Sequence, residues 1–321
     1  MKKKITIIST ISIIIMGFAY GAVGNYFYNY ALAANQEKEF LYDNPHLSLS
    51  EVVMADVAKA AKLADNEFKE EYPPSAWSVT SDDKLQLNLH ADVYKNGTEN
   101  PKWAIVVHGY TSHAGQMTRW IRNFHEQGYN VLAPDLRGHG KSEGAYIGMG
   151  WHDRLDILLW IEEITKVEPQ AEIVLFGISM GGATVMMTAG EDLPSNVKVI
   201  VEDCGYSSVS DVFTYQLDDL FSLPAFPVLN AANTVTNIRA GYDLFKASAV
   251  EQVAKSNTPI LFIHGDQDTF VPYEMIDDVY EAAKVEKEKL VIPGAGHGEA
   301  EKIDPDLYWR TIWGFVEKYI D

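Results

Sequence analysis

The chain reads as an α/β domain, a mainly parallel sheet with helices on both faces. Six compact apolar runs, at 104–107, 131–133, 173–176, 197–201, 260–263 and 290–292, have the unbroken character of strands buried on both faces. Between them lie stretches of helical periodicity, including Leu155, Leu158, Ile161 and Ile164, then 279–283 and 308–319. Strand alternating with helix gives a parallel sheet, whose chemistry gathers beyond the carboxyl ends of the strands. Charged residues at 22% and hydrophobic ones at 47% are ordinary for a folded globular chain, which removes the collagenous and disordered classes. The formal charge of -19 repels phosphate and excludes nucleic acid as a partner. One cysteine makes no internal disulfide, and no Cys/His spacing predicts a metal site.

The N-terminal segment, 1–36, is read first. Lys2, Lys3 and Lys4 are followed by no charged residue through Gln36, and 5–23 is mostly isoleucine and other apolar residues. About 20 such residues cross a bilayer core as a helix. The lysines leave the N-terminus in the cytoplasm, and Tyr20, Tyr26, Phe27, Tyr28 and Tyr30 form an aromatic belt at the far interface. The expectation is a single-pass signal-anchor with the rest of the chain outside the cytoplasm. Two alternatives remain: a signal peptide cleaved behind Ala31-Leu32-Ala33 and so a secreted protein, and a buried core helix.

Residues 37–76 are charged and alanine-rich, a linker leading into a helix. Ser48-Leu49-Ser50-Glu51 has capping-box spacing, Val53, Val57, Ala60, Ala61 and Phe68 recur at helical intervals, and Pro73-Pro74 stops the run. The main domain is expected over 77–321. Its first strand is placed where Leu85, Leu87 and Leu89 alternate with polar residues behind a turn at Asp82-Asp83.

Gly177-Ile178-Ser179-Met180-Gly181 follows the run at 173–176 and precedes the helix-compatible stretch 182–189. This strand, turn and helix context is that of a nucleophile elbow, where glycines on either side let strand and helix approach. A serine hydroxyl needs a histidine base held by a carboxylate. Past the run at 260–263 lies His264-Gly265-Asp266-Gln267-Asp268, and past 290–292 lies Gly294-Ala295-Gly296-His297-Gly298. Asp268 is taken as the acid and His297 as the base, with Asp266 the competitor for the acid or a brace for the turn. The oxyanion hole is assigned to the Met180 N–H and, from the loop Val106-Val107-His108-Gly109-Tyr110, the Tyr110 N–H. His113 is a pocket or loop residue, His139 a loop residue, and Cys204 a packed residue rather than a nucleophile.

His108-Gly109, the stretch from Asp135 to Ser142 with Arg137-Gly138-His139-Gly140, the G-x-S-x-G, the stretch His264 through Pro272, and His297 occur together and in order. The chain resembles the α/β-hydrolase superfamily, and within it the bacterial membrane-anchored branch similar to serine aminopeptidase and monoacylglycerol-lipase-like hydrolases. The resemblance implies an eight-stranded sheet, the triad Ser179, Asp268 and His297, and a small helical cap after the sixth strand, by position about 211–247. Phe213, Phe221 and Phe226 of that cap would wall an acyl pocket or form the cap's own core. The reading is a serine esterase acting on a small or lipid-like carboxylic ester through an acyl-enzyme, with no metal or organic cofactor and with the membrane as partner of its N-terminal segment. A peptidase, amidase or thioesterase with the same triad is the alternative within enzymes, and a catalytically inactive surface binding protein the alternative outside them.

Overall fold

The computed structural model of the chain describes residues 2–41, 44, 46–47, 55–97 and 100–320. Among these, β1 (Ser75–Thr80), β2 (Asn88–Tyr94), β3 (Lys102–Val107), β4 (Asn130–Pro134), β5 (Glu172–Ile178), β6 (Val197–Asp203), β7 (Ile260–Gly265) and β8 (Lys287–Ile292) form one sheet. Their spatial order is β1-β2-β4-β3-β5-β6-β7-β8. The pairs β1/β2 and β2/β4 are antiparallel and all others parallel. The helices are α1 (Lys2–Ala31), α2 (Ala55–Glu71), α3 (Thr118–Glu126), α4 (Asp153–Val167), α5 (Met180–Thr188), α6 (Val209–Phe221), α7 (Ala225–Arg239), α8 (Ala249–Val253), α9 (Met275–Ala282), α10 (Ala300–Ile303) and α11 (Pro305–Val316).

The pleat explains why the central strands carry unbroken apolar runs. Trp103, Ile105 and Val107 of β3 face a core shared with Ile157, Ile161 and Ile164 of α4 and with α5, α8 and α9. Ala104 and Val106 face the opposite core, with Ile121 and Phe124 of α3 and Ile312 and Phe315 of α11. Successive side chains point to opposite sides of a sheet, so two covered faces leave no position for a polar residue. The caps are equally local: Asp304 accepts from the Leu307 N–H with Pro305 at the first turn of α11, and Ser208 accepts from the Asp211 N–H at the start of α6.

Three expectations change. The strand behind Asp82-Asp83 begins only at Asn88, and Leu85 is 54% exposed. Side chains capture the intervening backbone: Ser81 Oγ accepts from the Leu87 N–H at 2.8 Å and Asp83 Oδ1 from the Leu85 N–H at 2.9 Å. Such bonds hold a turn against the strand that the leucine alternation invites. The sheet instead starts at Ser75, directly after Pro73-Pro74, in an edge strand whose residues are half-buried or exposed. The capping box at 48–51 and Val53 lie outside the described residues. Phe68 of α2 is buried, stacking at 5.6 Å on Tyr94.

The boundary at residue 36 also falls inside a packed region. Leu32 is 1% exposed within the main core, Ala33 bridges Tyr146, the Ile147 N–H donates to the Leu32 carbonyl at 2.8 Å, and the Ala34 N–H donates to the Ala145 carbonyl at 3.1 Å. The Lys38 ammonium closes the end of α1, donating to the carbonyls of Asn29, Tyr30 and Ala33 at 3.1, 2.8 and 3.0 Å. Burial pulls its pKa down to about 8. The last turns of α1 therefore pack into the core built on the sheet.

Behind the loop 135–142, the buried Arg137 guanidinium grips Asp156 with two bonds, at 2.8 and 2.7 Å, and reaches Asp83 at 2.8 Å. Removing one partner of a buried pair leaves the other charge uncompensated. Arg137→Met is expected to cost about 3–5 kcal/mol in urea unfolding of the detergent-solubilised chain; a loss below about 1 kcal/mol would mean that Asp156 is solvated or neutral.

Candidate active site

Ser179 sits between β5 and α5 with φ 57° and ψ -120°, a conformation that costs a non-glycine residue on the order of 1–3 kcal/mol. Its neighbours impose it. A Cβ on Gly177 would lie 2.1 Å from the Gly181 carbonyl oxygen, and one on Gly181 would lie 2.2 Å from that of Val107. The Ser179 N–H is fixed by the Asp203 carbonyl at 2.8 Å. The hydroxyl is thereby lifted above the carboxyl edge of the sheet.

Asp268 and His297 stand in the loops after β7 and β8 on that same edge. His297 Nε2 lies 2.8 Å from Ser179 Oγ, and its Nδ1 lies 2.7 Å from Asp268 Oδ2. Asp268 is buried and held on both oxygens: Oδ1 accepts from the Phe270 and Val271 N–H groups, each at 2.9 Å, and Oδ2 lies 3.0 Å from His264 Nε2. Burial raises the Asp268 carboxyl's pKa, but His297 and the bond from His264 outweigh it and carry it below the usual carboxylate range. For His297 burial works downward, and the Asp268 charge and hydrogen bond reverse it to a net upward shift. Asp266 braces the loop instead, accepting from the Gly294 N–H at 2.7 Å. His264 escaped sequence reasoning; its signal was its place four residues before Asp268.

Gly109 brings the loop after β3 against the serine, since a Cβ there would lie 3.3 Å from Ser179 Cβ. Among the described residues the N–H groups of Tyr110 and Met180 meet no backbone or side-chain acceptor. Two histidines shape this loop. His108 donates from Nδ1 to the Gly109 carbonyl at 2.7 Å and accepts at Nε2 from the Leu136 N–H at 3.0 Å. His139 donates to the Arg137 carbonyl at 3.1 Å and accepts from the Thr111 N–H at 3.3 Å. Each arrangement requires a neutral ring, and burial lowers their pKa values to about 3 and about 4. Cys204 is buried, and burial raises its thiol's pKa well above the ordinary value.

Above Ser179 opens an apolar cleft. Phe213 and Phe221 of α6 line it, with Leu229 of α7 and Phe270. Phe226 does not: it sits in non-helical backbone at the start of α7, 75% exposed, turned away from the cleft. His113 belongs to a separate polar hollow beside Lys38 and His139, because the loop turns away from Ser179 after Tyr110. Sequence reasoning missed Phe27, Tyr30 and Phe40, which complete the cleft wall from the N-terminal segment. In the sequence Phe27 and Tyr30 read only as part of an interfacial belt, and Phe40 carries no signal of its own.

The comparisons agree with this architecture. Residues 99–203 match the family described as serine aminopeptidase, S33. The chain is 25% identical over 224 residues to YqkD of Bacillus subtilis, covering 70% of this chain and 73% of that one. It is 24% identical over 194 residues to a Saccharomyces cerevisiae protein, YNL320W, named a membrane protein, covering 60% and 62%. The esterase Pf2001 of Pyrococcus furiosus superposes with a TM-score of 0.63 at 23% identity, over 79% of this chain and 94% of that one. The chain has the α/β-hydrolase fold. Its family match and fold support a hydrolase of the serine type.

A general base works when neutral, so activity should rise with pH through the His297 pKa, which lies above the ordinary 6.5. The kcat/KM profile on a p-nitrophenyl ester should show that ascending limb above pH 6.5. Asp268→Asn should lower kcat by up to about 10⁴-fold, whereas Asp266→Ala, which frees the Gly294 amide and the Gln267 side-chain amide, should stay within about tenfold of wild type. The reverse ranking would transfer the orienting role to Asp266.

Proposed function

We propose that the protein is a serine esterase that cleaves carboxylic esters with apolar acyl groups. Ser179 Oγ attacks the ester carbonyl as its proton passes to His297 Nε2, and the Tyr110 and Met180 amides receive the developing oxyanion. The C–O bond to the alcohol breaks as His297 returns the proton to that oxygen. Water then attacks the acyl-enzyme, giving its proton to His297, and the tetrahedral intermediate releases the acid as His297 reprotonates Ser179. Asp268 keeps the Nδ1–H tautomer and offsets the imidazolium charge.

The observation that carries the ester reading is the lining of the cleft. Among the described residues around it none is charged; Gln216, the tyrosines and Ser179 are its polar members. An aminopeptidase must hold a substrate ammonium, which calls for a carboxylate beside the nucleophile, whereas an acyl chain asks only for apolar walls. We place the catalytic domain outside the cytoplasm, from the lysines that precede the apolar run.

A fluorophosphonate should label the wild-type chain and leave Ser179→Ala unlabelled with an unchanged circular dichroism spectrum. On a panel of p-nitrophenyl esters, anilides and thioesters the esters should turn over fastest, and kcat/KM should climb from acetyl to medium acyl chains, each buried methylene contributing about 0.8 kcal/mol. Faster cleavage of aminoacyl anilides would select the peptidase. A folded wild type that takes no label would leave a binding protein. In intact protoplasts, external protease should digest the domain.

A further inference from the structure

We propose that α1 is at once the membrane anchor and a wall of the acyl site, so that the enzyme takes its substrate, an ester-linked acyl lipid, out of the bilayer that holds the helix. This rests on the esterase reading and adds the source of the substrate to it.

One uninterrupted helix carries both surfaces. Toward its start Ile11, Ile13, Ile14, Ile15, Met16 and Phe18 are 50 to 80% exposed, within the apolar run 5–23. Toward its end Phe27, Tyr30 and Ala31 line the cleft over Ser179, and the Phe27 and Tyr30 rings each meet Phe221 of the cap edge-on at 5.2 Å. At 1.5 Å per residue, the 19 residues 5–23 span about 29 Å, the thickness of a hydrocarbon core. Phe27 lies four residues further on, about 6 Å beyond it. The cleft wall therefore stands at the membrane interface, where an acyl chain moves from lipid into an uncharged cleft without crossing water.

The helix is docked, not tethered. A Cβ on Gly24 would lie 2.2 Å from the Ala231 carbonyl oxygen of α7, so the two helices touch backbone to backbone. Arg239 of α7 donates to the side-chain oxygens of Asn25 and Asn29 at 2.9 and 2.8 Å. Most directly, the Tyr110 hydroxyl donates to the Ala31 carbonyl at 2.6 Å, tying the helix end to the residue whose amide faces the oxyanion. Cleavage after Ala33 would remove these contacts, so the site is complete only in the uncleaved chain.

The test uses the full chain reconstituted in phosphatidylcholine vesicles. An alkyl fluorophosphonate with a diazirine at the end of a long chain is reacted, irradiated and mapped by peptide mass spectrometry. Labelling of Ser179 with cross-links in residues 24–40 is expected. Cross-links confined to 209–239 would overturn the proposal while sparing the esterase, and failure to label Ser179 in folded protein would remove both. A second measurement supplies a long-chain fluorogenic diacylglycerol either in the same vesicles as the enzyme or in separate ones. Hydrolysis in shared vesicles at least tenfold faster than across vesicles is expected; equal rates would show that the substrate arrives through water.

Discussion

The site depends on a backbone contact that leaves no room for a side chain. Where β5 turns into α5, a methyl group on Gly177 would overlap the Gly181 carbonyl oxygen, and one on Gly181 would overlap that of Val107 at the end of β3. The turn between them can be closed only with Ser179 at positive φ. The strain is held by its surroundings: α5 is buried along its length, and the Asp203 carbonyl fixes the Ser179 amide from the neighbouring strand. The exposed hydroxyl and the unengaged Met180 amide at the first turn of α5 are both products of that packing.

Charge around the serine is arranged by burial and counted hydrogen bonds. Asp268 stays ionised in a dry setting because four donors converge on it: two backbone amides and two imidazoles. His108 and His139 follow the opposite rule, kept neutral by burial so that each can accept a backbone amide with one nitrogen and donate with the other. The same residue type thus supplies a base whose pKa is raised and two fixed struts whose pKa values are depressed. What separates them is a carboxylate within 2.7 Å of His297.

Much of this was legible in sequence because its signals are short-range. Strands covered on both faces are largely apolar, so the runs within β3 to β8 stood out, as did glycines required by a tight crossing. Asp268 and His297 could be located because the ends of parallel strands share an edge. The unread parts depend on contacts distant in sequence or on side chains satisfying backbone. Leu85 and Leu87 kept a strand's alternation, yet Ser81 and Asp83 had captured the amides that a strand would use. Phe226 had the composition of a pocket residue, but its direction followed from backbone angles that composition does not encode. His113 lay three residues past Tyr110, across a loop that turns away from Ser179.

The N-terminal helix shows why hydropathy alone misjudged its own most useful residues. A run of apolar side chains followed by aromatics has the same pattern whether the aromatics meet headgroups or protein. What distinguishes the two is the polar and small residues among them. Gly24 permits contact with Ala231, Asn25 and Asn29 receive Arg239, and Lys38 satisfies three of the carbonyls that a helix end leaves open. A helix that only tethers would have its last carbonyls in water and would need none of these partners. Here the Ala31 carbonyl is left for Tyr110, so the end of α1 fixes the side chain of the loop that faces the serine.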